Sequence, residues 1–297
     1  MTPVATFNGA YTALITPFRS GRLDEARLRD QVEYQITNGI DGLVPVGTTG
    51  ESPTVDWKEH VRVIEVAVQY ARGRVPVVGG VGANSTAEAI ELHRAAKDAG
   101  CSAGLSVNPY YNKPSAEGLY RHFMTLADAV DLPICLYNIP GRTGITMAAQ
   151  TVAKLAKHPN IVAIKEATGV LDMTSEIISL THDLVVISGD DSLTLPIMSV
   201  GGKGVISVVS NLLPAKVKQM CKYAADGNYA EARAIHYQLF PLIKAIFLDG
   251  NPAGIKHAMK VAGMDTGELR LPLVEAGEGT QKQIELFMAP AGAPFAV

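Results

Sequence analysis

Lys165 stands where a charge is out of place, inside Ile161-Val162-Ala163-Ile164-Lys165-Glu166-Ala167, a run that reads as a buried parallel strand. Desolvation disfavours an ammonium, so a lysine walled in by aliphatic side chains can serve as an amine nucleophile and form an imine with a carbonyl compound. A second reading places Lys165 at the strand's end, reaching solvent or an ion pair. Strand alternation sends Glu166 the other way, toward the helices or a neighbouring loop. Three other stretches carry polar groups just after apolar runs. Gly47-Thr48-Thr49-Gly50-Glu51-Ser52 offers hydroxyls and peptide N–H groups that can cradle a carboxylate, or a plain helix-entry turn. Asn108-Pro109-Tyr110-Tyr111-Asn112-Lys113-Pro114 puts two tyrosines in a proline-stiffened loop, suited to packing or an oligomer interface as well as to chemistry. Tyr137-Asn138-Ile139-Pro140-Gly141-Arg142-Thr143-Gly144 supplies a phenol that can relay protons and a guanidinium that can grip a carboxylate, or else a core cap and a surface ion pair.

The elements that must position these groups repeat. Short apolar runs begin near Tyr11, Leu43, Val75, Ala103, Pro133, Ile161, Leu184 and Gly204, and amphipathic helical patterns occupy seven of the eight gaps. Trp57, Val61, Ile64 and Val68 form one such stripe, predicted to face the core; Ala89, Leu92, Ala96 and Ala99 form another, opened by a Ser85/Glu88 capping box. No Gly-x-Gly-x-x-Gly follows the first strand, so the pattern predicts an α/β fold, a closed (β/α)8 TIM barrel, over a doubly wound sheet. We expect a catalytic barrel over residues 1–225 and a C-terminal helical region over 226–297, with helical patterns at Pro214–Asp226, Tyr229–Leu248 and Ala253–Ala262. The Ala/Pro/Gly-rich end, Met288 to Pro294, is expected to fray. Catalytic groups of such a barrel lie at the C-terminal strand ends, where the four polar stretches fall.

Composition narrows the function. A net charge of −3 with interspersed signs leaves no footprint for nucleic acid. Three cysteines at no ligand spacing and seven scattered histidines predict no metal site, and the cysteines fit a reducing cytoplasm. No apolar stretch of membrane-spanning length occurs and no export signal is recognised at the N-terminus.

Taken in order, Gly47-Thr48-Thr49-Gly50-Glu51, Pro109-Tyr110-Tyr111-Asn112, Tyr137 to Gly144 and Ile164-Lys165-Glu166-Ala167 resemble the dihydrodipicolinate synthase family. The likeness runs from about Phe7 to Leu273 and includes Ser188-Gly189-Asp190-Asp191 and Gly204-Val205-Ile206-Ser207. It implies a barrel with a C-terminal helical domain, assembled as a homotetramer of paired dimers, with no cofactor and no metal. Lys165 would form an imine with pyruvate. Tyr137 would move protons, linked through Thr48 to Tyr111 of a neighbouring subunit. Thr48 and Thr49 would hold the pyruvate carboxylate, Arg142 that of aspartate semialdehyde, and backbone groups at Gly189 and Ile206 would line the pocket.

Sister activities sharing the imine lysine, an N-acetylneuraminate lyase or a 2-keto-3-deoxy-sugar-acid aldolase, are the nearest alternatives; the Thr48-Thr49 pair and Arg142 lean against them. A non-catalytic small-acid sensor has no use for a nucleophilic amine. A phosphate-binding barrel is disfavoured because the loop after strand seven, Gly189-Asp190-Asp191, is acidic. The resemblance also implies a lysine effector site at Ser52, Trp57, His60, Asn84, Glu88 and Tyr110, with tryptophan at 57 as in plant-type members and Pro53 departing from a common pattern; Glu88 as a cap residue and Trp57 as a core residue are the structural alternative.

Overall fold

Eight short strands alternate inside and outside, with one register irregularity where Ile134 and Cys135 pair with Ile161 and Ala163, and this decides where each side chain goes. In the computed structural model, which describes residues 3–288, they are β1 (Gly9–Ala13), β2 (Gly42–Val44), β3 (Val78–Gly80), β4 (Ala103–Val107), β5 (Ile134–Asn138), β6 (Ile161–Glu166), β7 (Val185–Ser188) and β8 (Gly204–Ser207). All are parallel, hydrogen-bonded in the order β2-β1-β8-β7-β6-β5-β4-β3, and a parallel bridge between Leu43 and Val77 closes the cylinder. Inward positions form one apolar cluster that includes Phe7, Tyr11, Val44, Val78, Leu105, Cys135, Tyr137, Ala163 and Ile206. Outward positions such as Leu43, Ile134, Leu136 and Ile164 join the larger layer shared with the helices.

Helices α1 (Glu25–Thr37), α2 (Trp57–Ala71), α3 (Thr86–Ala99), α4 (Ala116–Ala129), α5 (Ala149–Leu155), α6 (Leu171–Leu180), α7 (Thr194–Ser199) and α8 (Pro214–Ala225) surround the strands. The first four begin where Asp24, Asp56, Ser85 and Ser115 accept a backbone N–H of the first turn, each satisfying a donor that the helix itself cannot. Helices α9 (Tyr229–Ile246), α10 (Ala253–Val261) and α11 (Glu278–Met288) follow the barrel.

Three expectations need correction. Trp57 does not face the core: it is 44% exposed, and His60, Val63, Ile64, Ala67 and Ala71 make the buried stripe of α2. A polar residue holds part of that stripe because the His60 ring bonds the Gly80 carbonyl (Nε2 to O, 2.7 Å). The third strand starts at Val78 rather than near Val75 and runs through two glycines. Gly80 is required there, since a Cβ would come within 2.4 Å of the Val46 carbonyl oxygen. Helix α11 falls inside the expected C-terminal helical region, although no periodic pattern marks it, for within it only Thr280 and Ile284 are buried. Of the end expected to fray, Met288 instead closes α11 and packs against the core, because its side chain is apolar and half-buried; the rest, from Ala289 on, lies outside the described residues.

Candidate active site

Ala163 points into the cylinder, so period two also brings Lys165 inward, one layer nearer the C-terminal mouth. Lys165 pairs in register with Tyr137 on β5 and Ile187 on β7. It is 5% exposed, and its Nζ lies 4.3 Å from the centre of the Tyr137 ring, within cation–π range. Gly189 packs against the lysine stem: an added Cβ would stand 3.0 Å from Lys165 Cε and 3.1 Å from Cγ. Only glycine lets the loop after β7 approach so closely. Cys135, one layer below Tyr137, has its thiol pushed up to about 12 by burial, with the lysine's positive charge opposing the shift. Glu166 turns outward, accepting the Thr168 N–H at 2.6 Å and the Asn138 side-chain amide at 3.2 Å. Burial raises its pKa, and those donors hold it back.

A cavity of about 230 Å³ opens at the mouth, walled by Thr48, Tyr137, Arg142, Gly47, Gly80, Leu105, Val107, Ser52 and Tyr110 among others. Thr48 reaches it from a turn closed by Glu51 N–H donating to the Thr48 carbonyl (3.1 Å) and Ser52 N–H donating to the Gly47 carbonyl (3.3 Å). Val46, at the entry to that turn, has φ +48, a conformation that costs a β-branched residue roughly 1–3 kcal/mol. Such strain is kept where the surroundings over-determine the loop. Arg142 sits at the exposed rim on a one-turn helix, Pro140–Thr143.

The structure thus gathers Thr48, Tyr137 and Arg142 round one cavity, with Lys165 behind the Tyr137 ring and Gly189 behind Lys165. Ile206 is buried in the barrel interior in register with Tyr11. Thr49 is buried, and its hydroxyl accepts from Asn251 Nδ2 at 2.9 Å. Tyr111 stands apart, 91% exposed with φ +71, so a single chain does not complete a Tyr137–Thr48–Tyr111 relay. Of the effector candidates, Ser52 and Tyr110 wall the same cavity, and the Tyr110 phenol is raised by burial and by the Glu88 charge. Asn84 offers its carbonyl to the Asn112 side chain (2.9 Å), Trp57 is exposed, and His60 is occupied with Gly80, its pKa lowered by burial.

Two groups beside the site, both within motifs quoted from the sequence, have burial and partners that the sequence does not reveal. Asp191 is buried between β7 and β8, accepting the Ser207 hydroxyl (2.5 Å) and the Val208 and Val209 N–H groups (2.9 and 3.1 Å). Burial pushes its pKa up to about 6 against those bonds. Glu51, at the turn's exit, forms an ion pair with Lys256 in which both side chains are fully buried. Neither partner of that pair lies near the other in sequence.

Residues 6–289 match the profile of the Dihydrodipicolinate synthetase family. The chain belongs to that family. A 4-hydroxy-tetrahydrodipicolinate synthase of Pelobacter propionicus is 51% identical over 287 residues, covering 96% of this chain and 99% of the relative. The dihydrodipicolinate synthase of Aquifex aeolicus superposes with a TM-score of 0.93 at 46% identity, over 95% of this chain and 97% of that one. The enzyme of Cyanidioschyzon merolae, solved with lysine bound, gives 0.93 at 41% identity over 95% and 97%. The family's barrel is the fold described above. No helix among the described residues is long and apolar enough to cross a membrane.

Proposed function

We propose that this chain is a metal-independent lyase of the class I aldolase type that condenses pyruvate with L-aspartate 4-semialdehyde to 4-hydroxy-tetrahydrodipicolinate, the step that commits carbon to diaminopimelate and lysine. The observation that carries the reading is Lys165, 5% exposed inside a barrel mouth and set against the ring of Tyr137. The Lys165 amine attacks the keto carbon of pyruvate, water leaves, and an imine forms. Positive charge on the imine makes the methyl group acidic; loss of a proton gives an enamine that attacks the aldehyde. The product's own amine then adds to the former keto carbon and displaces Lys165, closing the ring with one water lost overall.

Tyr137 is the group that moves protons at the imine and the new bond. Hydroxyl and backbone groups of Thr48 and Thr49 hold the pyruvate carboxylate, and Arg142 takes the second acid at the rim. Backbone groups at Gly189 and Ile206 complete the lining. Holding both acids in one frame turns the bond-forming step into an effectively unimolecular one. Tyr111, exposed and held at φ +71, is presented to a neighbouring subunit, and we assign the working form to a homotetramer of dimers. Lysine is assigned as a feedback effector at Ser52, Trp57, His60, Asn84, Glu88 and Tyr110, supported by a relative solved with lysine bound; activity unchanged across a lysine titration removes that assignment. No nucleic acid or membrane takes part, and the place of action is the cytoplasm.

The test is borohydride reduction in the presence of pyruvate, followed by peptide mass mapping and turnover assays. An adduct on Lys165, with condensation outrunning cleavage of sialic or 2-keto-3-deoxy acids, is expected. An adduct elsewhere, or turnover that survives Lys165→Ala, overturns the mechanism. Faster cleavage of those sugar acids overturns the substrate.

A further inference from the structure

Asn251 lies between α9 and α10, some 200 residues from the turn it touches, and is nine-tenths buried. Its side-chain amide donates to Thr49 Oγ1 (2.9 Å), while its backbone carbonyl accepts from Arg142 Nη2 (3.1 Å). One residue from the C-terminal region therefore grips both the turn that carries Thr48 and the guanidinium at the rim. The direction of the first bond matters. A threonine hydroxyl has one proton and two lone pairs, and an amide N–H spends a lone pair. The proton is left for a second partner. An acceptor at position 251 would instead take that proton and turn the oxygen's lone pairs toward the substrate carboxylate.

We propose that Asn251 is a positioning residue for substrate binding: its amide fixes the Thr49 hydroxyl with the proton free for the carboxylate of the keto acid, and its carbonyl sets Arg142 in the same frame. The inference rests on the function proposed above. It assigns Asn251 no contact with the reacting atoms. Its acceptor atom Oδ1 is buried with no hydrogen-bond partner among the described residues. Buried polar groups are left in that condition chiefly where another requirement fixes the side chain, here the donation to Thr49.

The experiment compares Asn251→Ala, Asn251→Asp, Thr49→Val and the double variant Thr49→Val/Asn251→Ala, reading pyruvate KM, kcat and the thermal midpoint. Asn251→Ala is expected to raise the pyruvate KM about tenfold with kcat changed much less, the loss of one well-placed hydrogen bond. Asn251→Asp is expected to do worse, about 10²-fold, because it accepts where the asparagine donates and adds a negative charge, and lowering the pH to protonate the new carboxyl is expected to recover part of the loss. In the Thr49→Val background, Asn251→Ala is expected to add less than about twofold. Equal effects of alanine and aspartate, full additivity in the double variant, or a falling midpoint with unchanged KM each overturn the proposal. Should Asn251→Ala fail to fold, Thr49→Val and Asn251→Asp retain the comparison, and a lower KM in Asn251→Asp than in Thr49→Val overturns it. Borohydride trapping of pyruvate by the unmodified protein separates the two layers: without an adduct on Lys165 the function fails, whereas with one and with unshifted half-saturation in both Asn251 variants only the role of Asn251 fails.

Discussion

Replacing Lys256 by methionine removes the cation from a fully buried pair and leaves the Glu51 carboxylate where water cannot reach it. The ammonium also donates to the Glu268 carbonyl at 2.6 Å and sits 4.3 Å from the centre of the Phe18 ring. Burial lowers the pKa of Lys256, and Glu51 is the main group pulling it back, so the pair's attraction offsets only part of the ammonium's desolvation. Methionine fills similar volume without charge, so packing changes little while Glu51 keeps, among the described residues, the Arg270 N–H (3.1 Å). Breaking such a pair on one side costs about 3–5 kcal/mol, whereas removing both charges together is often neutral. For a chain of 297 residues that is a fall in midpoint of roughly 5–8 °C. The assay is thermal and urea unfolding of Lys256→Met, Glu51→Gln and the double variant Glu51→Gln/Lys256→Met. The expected pattern is a large loss in Lys256→Met and recovery of most of it in the double variant. A loss under about 1 kcal/mol in Lys256→Met, a value typical of exposed pairs, refutes the claim that the charges are desolvated. Because Glu51 closes the turn that carries Thr48, the pyruvate KM is expected to rise in Lys256→Met below its midpoint.

Tyr137→Phe keeps the ring beside Lys165 and removes the proton carrier, so turnover is expected to fall by about 10²–10⁴ while borohydride still traps pyruvate on Lys165; unchanged turnover removes Tyr137 from the chemistry. Gly189→Ala drives a methyl to 2.7 Å from the Ala167 Cβ and 3.0 Å from Lys165 Cε, and displacing the lysine stem is expected to slow trapping by about 10²-fold, read in single-turnover experiments. His93 and His122, between α3 and α4, both have pKa values lowered by burial to about 4. A folded-state value below the ordinary 6.5 means that folding selects the neutral ring, so this contribution to stability is full above about pH 6.5 and is lost as pH falls toward 4. The displacement from 6.5 to about 4 corresponds to roughly 3 kcal/mol for His93, whose ring nitrogens have no hydrogen-bond partner among the described residues. Acid titration of stability is expected to flatten over that window in His93→Leu, and an unaltered slope contradicts the assignment.

Lys165, Tyr137, Thr48 and Arg142 were legible because a barrel turns sequence position into spatial position: whatever follows each apolar run arrives at the same rim. Alternation alone told which way Lys165 and Glu166 point. Hydropathy misplaces the stripe of α2, because His60 is buried for its bond to Gly80 rather than for apolarity. Apolar patterning misplaces the third strand because Gly79 and Gly80 carry no strand signal; their value is the room they leave for the helices and for the turn after β2. Tyr111 could be found as a candidate by type, but a single chain gives it nothing to act on.

The contacts that remained hidden share one property. Thr49 with Asn251, Arg142 with Asn251 and Glu51 with Lys256 each join a strand-end loop to the segment after α9, and no periodicity relates residues so far apart. That segment belongs to no βα unit, so its polar residues have no rim position by which to be recognised. Yet the turn after β2 combines a valine at φ +48 with a buried carboxylate, an arrangement its own residues cannot stabilise. The partners that hold it come from the chain's last third. Truncating the chain after α8 would therefore leave every residue assigned to chemistry in place, while Glu51 would lose its cation and Thr49 its donor. The truncated barrel is expected to bind pyruvate poorly even where circular dichroism finds its helices intact. Pyruvate trapping by a folded truncated barrel at the full-length protein's half-saturation would show instead that the turn holds its own shape.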